Sequence, residues 1–127
     1  MTIRRKMKNL LLAAAALTMG TSALAQLTAF PEGAEPLTQE ALREALSGKV
    51  FMMTPAKGSD WRWQFDANGY FFFNAGGGYT NSGKWSTKGS SVCQDTGKTP
   101  GCNEMRQKSN VLYLVRDNGE LLTFKPQ

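Results

Sequence analysis

From Trp61 to Trp85 the chain reads W-R-W-Q-F-D-A-N-G-Y-F-F-F, then a glycine-rich bend, then G-K-W. Trp61, Trp63 and Phe65 alternate with Arg62, Gln64 and Asp66, the period-two pattern of a strand with one buried face. The Asp66-Ala67-Asn68-Gly69 run that follows predicts a hairpin loop over 67–69, a type I turn closed by a glycine in the left-handed region. In that register Phe65 faces Phe71 and Trp63 faces Phe73, whereas a turn of Asn68-Gly69 alone would pair Phe65 with Phe72 and Trp63 with Asn74. Cross-strand aromatic pairs contribute roughly 0.2–1 kcal/mol each, and the first register makes more of them. This hairpin is the expected nucleus of the core.

Residues 26–36 carry Pro31, Gly33 and Pro36 and read as an extended leader, with Leu27 and Phe30 expected to tuck against the core. A helix over 38–47 follows. Thr38 is its N-cap, Leu37 and Leu42 have the spacing of a hydrophobic staple, and Gly48 suits the left-handed C-terminal position. Leu42, Ala45 and Leu46 give the helix one apolar side, to lie against the sheet or plug an end of it. Further strands are expected over Val50 to Thr54, Trp61 to Asp66 and Tyr70 to Asn74. The Gly76-Gly77-Gly78 run then breaks the pattern, leaving Tyr79 to Ser82 as an irregular edge and Gly83 to Thr87 as a short strand. Ser91 to Gln94 pairs with Cys102 to Gln107, and Val111 to Arg116 pairs with Glu120 to Lys125. In the last hairpin a loop over 117–119 sets Arg116 opposite Glu120, an attractive pair; a shorter turn would oppose Asp117 and Glu120.

This pattern gives about seven or eight short sequential strands with closely spaced turn signals, a mainly β chain with one short N-terminal helix. A meander of that length usually closes or folds over to hide its edges, so a small up-and-down antiparallel barrel is the expected fold of a single domain over 37–127.

The first 25 residues read as an address. Arg4, Arg5, Lys6 and Lys8 precede an apolar run from Leu10 to Leu17 and an A-x-A site at Ala23 to Ala25, the form of a secretory signal peptide cleaved after Ala25. The apolar run is too short to span a bilayer, which takes about 20 residues. Removing 25 of the 127 residues leaves 102. It also removes four of the 15 basic residues and none of the 10 acidic ones, leaving a net charge of +1. The basic balance that would have pointed to nucleic acid leaves with the address. The two cysteines, Cys93 and Cys102, are expected to form a disulfide in an oxidising compartment, periplasmic or extracellular. Their spacing is far from C-x-x-C and the chain has no histidine, which argues against a metal or redox site.

Motifs that suggest chemistry each meet an objection. Gly97-Lys98-Thr99 ends like a phosphate-binding loop, but Val92 stands where its first glycine belongs. Gly76 to Gly78 fails as a dinucleotide fingerprint because Asn81 replaces the third glycine. Asp60, Arg62, Gln64 and Asp66 share a strand face and include two carboxylates, yet polar residues alternating with aromatics are the ordinary solvent side of a strand. Lys84 and Ser86 form a Ser-Lys pair only on paper, with no oxyanion arrangement beside them. No catalytic residue, metal ligand or cofactor is expected. Aromatic rings remain as candidates for ligand binding: Trp61, Trp63, Tyr70, Phe72, Trp85 and Tyr113. The competing reading is that they only fill the core.

Several segments together resemble a family of small exported proteins of Gram-negative bacteria known as domain of unknown function 995. They are P-L-T-Q-E-A-L (Pro36 to Leu42), L-S-G-K (Leu46 to Lys49), W-R-W-Q-F-D-A-N-G-Y-F-F (Trp61 to Phe72), S-G-K-W (Ser82 to Trp85), V-C (Val92, Cys93), G-C-N-E (Gly101 to Glu104) and L-Y-L-V-R (Leu112 to Arg116). The resemblance implies one compact exported domain with a disulfide, and brings no activity or catalytic residue. Gly83-Lys84-Trp85 has the G-x-W form of lipocalin-type barrels, a fainter likeness that bears on architecture alone, since the motif comes late here.

The expected function is that of an exported, non-enzymatic barrel-like domain that binds a small apolar or aromatic ligand, or an exported protein partner, with neither a membrane span nor nucleic acid involved. One rival is an inhibitor of a cell-wall lytic enzyme, with Asp95 to Gly101 as the inserting loop. The other is a hydrolase, which without histidine would need a carboxylate or Ser-Lys mechanism. A cavity of a few hundred Å³ lined by the tryptophans would favour a small ligand. A filled core with a protruding polar loop would favour inhibition, and convergent carboxylates in a cleft would favour hydrolysis.

Overall fold

The computed structural model describes residues 30–98 and 100–127. The predicted signal peptide, its cleavage site, Leu27 and Thr99 lie outside the described residues. A strand β1 (Glu35–Pro36) precedes the helix α1 (Gln39–Leu46). Then come β2 (Lys49–Met53), β3 (Trp61–Phe65), β4 (Tyr70–Gly76), β5 (Tyr79–Lys88), β6 (Ser91–Asp95), β7 (Gly101–Lys108), β8 (Val111–Val115) and β9 (Leu121–Pro126). Each of β2 to β9 pairs antiparallel with the next in sequence, and β9 returns to β2 through Phe51–Pro126 and Met52–Lys125. The result is a closed, eight-stranded up-and-down barrel, the expected architecture. Closure removes the long free edges that a meander would otherwise leave.

The central hairpin has the expected register, with Phe65 opposite Phe71 and Trp63 opposite Phe73. Asp66 N–H donates to Tyr70 O at 2.8 Å and Gly69 N–H to Asp66 O at 3.0 Å, with Gly69 at φ 94°. The last hairpin repeats this geometry between Arg116 and Glu120, and their side chains form an ion pair.

One expectation is corrected. Tyr79–Lys88 is one continuous strand instead of an irregular edge and a short strand. Gly77 and Gly78, at φ 59° and 87°, make a two-residue turn of the type I′ kind, whose twist matches that of the flanking strands. The glycine run therefore tightens the hairpin, and a bulge between Asn74 and Gly76 absorbs the local misfit. The end of the leader is an extended strand, with Glu35 and Pro36 paired to Gln107 and Arg106. β6 leaves β7 after Glu104, and β1 covers the edge so exposed. A proline without an N–H is tolerated at such an edge. Phe30 lies against Arg106, whose guanidinium stands 4.6 Å from its ring centre.

Helix α1 closes one end of the barrel. Thr38 Oγ1 accepts from Ala41 N–H at 3.1 Å, and Gly48 takes the left-handed conformation at φ 76°. Leu42 and Leu46 are fully buried in one cluster with Phe65, Phe71, Met105 and Phe124. Burying a leucine side chain stabilises by roughly 1.5–3 kcal/mol, so these two residues anchor the plug. Thr87 Oγ1 donates to Gln39 O at 2.9 Å and Gly48 N–H to Phe65 O at 2.7 Å, tying the helix to the ends of β5 and β3. No helix among the described residues is long and apolar enough to cross a membrane.

Candidate functional site

The opposite end of the barrel is where β3, β5, β7 and β9 begin and β4, β6 and β8 finish. There the inward positions stop being uniformly apolar. Residues directly opposite one another on paired strands share a face. Asn81 is opposite Phe73, Gln94 opposite Trp85, and Asn103 opposite Val92. All three carboxamides therefore project to the inner side, above the layer of buried aromatic rings. Together with Trp61, Trp63, Phe73, Tyr79 and Arg116 they line a pocket of about 330 Å³ over a floor of Leu114 and Leu122. Asp117 and Asn118, from the β8–β9 turn, complete the rim.

The pocket is aromatic on one side and amide-rich on the other. On β3 and β4, Trp61 and Phe73 meet edge to face with ring centres 5.2 Å apart, and Trp63 and Phe73 do the same at 5.3 Å. Tyr79 extends this wall to the rim, its ring 6.2 Å from Phe73, and is 52% exposed. Trp63 is buried, and its indole N–H has no hydrogen-bond partner among the described residues. A buried donor left without a partner is rare in native structures.

The charges at the mouth are tied down. The Arg116 guanidinium stands 4.8 Å from the centre of the Trp61 ring and pairs with Glu120. Glu120 Oε2 also accepts from Ala56 N–H at 2.6 Å, joining the β8–β9 turn to the β2–β3 loop. The Ala56 N–H first, and the Arg116 guanidinium after it, hold the Glu120 carboxyl below its ordinary value. Asn103 Nδ2 donates to Val115 O at 3.2 Å and to Asp117 Oδ1 at 3.3 Å, bracing β7 against β8.

Of the aromatic residues singled out from sequence, Trp61 and Trp63 meet in this pocket. Trp85 points inward at the plugged end, where its indole N–H donates to Asp66 O at 2.9 Å and its ring packs on Phe65. Gly83 of the same G-x-W run lies where a Cβ would overlap the Asp95 carbonyl oxygen. Tyr70 and Phe72 lie on the outer wall, 46% and 51% exposed, and Tyr113 faces outward between the buried Leu112 and Leu114. Phe73, Tyr79, Asn81, Gln94, Asn103 and Arg116, with Leu114 and Leu122 of the floor and Asp117 and Asn118 of the rim, are the lining residues that sequence reasoning missed. The signal for those on strands was strand parity carried from Trp63 across successive hairpins.

The outer wall carries the polar ladder expected there. Arg62 donates to Gln64 at 3.2 Å and Gln64 to Asp66 at 2.8 Å, and Asp60 accepts from Thr54 at 2.9 Å. Cys93 and Cys102 face each other on β6 and β7 and are joined by a disulfide. Among the described residues no group of three or more His, Cys, Asp or Glu side chains is placed to hold a metal ion. Compared with protein-family models, curated proteins and solved structures, the chain finds no match, so the family likeness noted above rests on its motifs alone.

Proposed function

We propose that the protein is an exported, non-catalytic binding protein that holds a small molecule in the open mouth of its barrel. The pocket of about 330 Å³ between the tryptophans and the carboxamides carries this reading. It has the size and mixed lining of a small-molecule site, which typically spans about 300–1,000 Å³. The helix seals the other end, so the mouth is the route in. Support for export comes from the basic, apolar and A-x-A segments at the start of the chain. A non-catalytic role is supported by the lack of histidine in the chain and by the lining, where Asp117 is the lone carboxylate among the described residues. Paired-carboxylate hydrolysis needs two such groups across a bond. Inhibition through the Asp95 to Gly101 loop would have been favoured by a filled barrel, and the open mouth weighs against it.

Native mass spectrometry of the protein purified gently from its own host tests this. The expected result is a bound species of small-molecule mass that is lost from the Trp61→Ala variant. A bare polypeptide mass, or a stoichiometric protein partner, would overturn the reading.

A further inference from the structure

Resting on that reading of the mouth, we propose that the ligand is a neutral sugar, set with the C–H face of a pyranose ring against the aromatic wall and with its hydroxyls on the carboxamide wall. A pyranose is a disc with apolar faces and a hydroxyl edge, and this pocket divides its chemistry in the same way. Trp61 and Phe73 form the inner aromatic surface, and Tyr79, half exposed at the rim, is the platform that an incoming ring meets first.

Beside Phe73 and along the following strands, Asn81 and Gln94 each carry an amide donor and acceptor, while Asn103, whose Nδ2 is bound to Val115 O and Asp117 Oδ1, leaves its Oδ1 to accept. Hydroxyl groups also donate and accept at once, so the two sets are complementary. An alkyl chain would strip water from the same amides and return no hydrogen bond, which is unfavourable.

Charge selects against ionic ligands. Arg116 is the one cation on the lining among the described residues. Its guanidinium is already committed to Glu120 and to the Trp61 ring. Asp117 adds a carboxylate to the rim, so an anionic ligand meets a cation whose charge Glu120 already offsets and a second carboxylate beside it.

Isothermal titration calorimetry on the mature, disulfide-bonded chain separates the alternatives. The probes are N-acetylglucosamine, chitobiose, maltose, cellobiose and lactose, with adenosine and 1-anilinonaphthalene-8-sulfonate as comparators. The expected result is saturable binding of at least one sugar. That binding should weaken tenfold or more in Asn81→Leu and in Gln94→Leu, while the anilinonaphthalene probe binds these variants more tightly than the parent. Two variants on different strands guard against one that fails to fold, which far-ultraviolet circular dichroism would reveal. If adenosine or the anilinonaphthalene probe binds, is lost in Trp61→Ala, and no sugar binds, the sugar assignment is overturned and the mouth remains a ligand site. If no probe binds and the native mass is that of the bare chain, both fall.

Discussion

Trp63 and Trp85 are both buried inside the barrel, 4% and 5% exposed, and differ in what their indole N–H groups meet. The Trp85 N–H donates to Asp66 O at 2.9 Å, while the Trp63 N–H finds no acceptor among the described residues. Phenylalanine at either position removes a similar volume, and the cavity cost, about 24 cal/mol per Å³ left empty, is similar for the two. The polar consequences have opposite signs. Trp85→Phe loses a hydrogen bond, worth about 0.5–1.5 kcal/mol net because Asp66 O still accepts from Gly69 N–H. Trp63→Phe deletes a donor that already bears a desolvation penalty of about 1–3 kcal/mol. The Trp85 variant should therefore be the less stable of the pair by roughly 2–4 kcal/mol. Urea unfolding with the disulfide intact measures this as a difference in midpoint at a common slope. Equal destabilisation, or a Trp63 variant that unfolds first, would refute the reasoning.

Three further outcomes follow from particular contacts. In Gly83→Ala the new Cβ overlaps the Asp95 carbonyl oxygen and lies 2.9 Å from Thr96 Cα, both backbone atoms, so thermal or urea unfolding should show a loss of about 1–3 kcal/mol. Replacing Cys93 and Cys102 together by serine should cost about 2–3 kcal/mol and speed amide hydrogen exchange along β6 and β7, where Gln94 and Asn103 adjoin the cysteines. For Glu120 the folded-state pKa is depressed, so its stabilisation is complete above its ordinary value of about 4.5 and is lost as pH falls through the lower folded value. Urea midpoints of the parent and Glu120→Gln should accordingly be separated at pH 7 and converge in that acid range; a separation that stays constant would show that the carboxylate's charge contributes nothing.

Local chemistry made much of the barrel legible in the sequence. The Asp66–Gly69 and Asp117–Gly119 loops each specify a register through a glycine with positive φ, and Thr38 and Gly48 mark the helix ends. Tyr79–Lys88 was harder to read because three successive glycines usually interrupt a strand, and only the I′ geometry of Gly77 and Gly78 joins β4 to β5 tightly. The mouth was hidden for a different reason. Asn81, Gln94 and Asn103 look like solvent-facing residues within their own strands, and their inward side follows only from the register of successive hairpins, which sets them opposite Phe73, Trp85 and Val92. Phe72 could have been set aside earlier, since a register that puts Phe71 and Phe73 on the face of Trp63 puts Phe72 on the other. Tyr113 yields to the same parity between Leu112 and Leu114.

The most direct measurement of whether the mouth is the binding site uses the chain's three tryptophans, whose indole N–H groups give separate resonances in a ¹⁵N–¹H correlation spectrum. Titration with the small-molecule fraction of a periplasmic extract should shift the Trp61 and Trp63 signals and leave that of Trp85, held against Asp66 at the plugged end, in place. A spectrum in which Trp85 alone responds, or in which none of the three moves, would contradict the account.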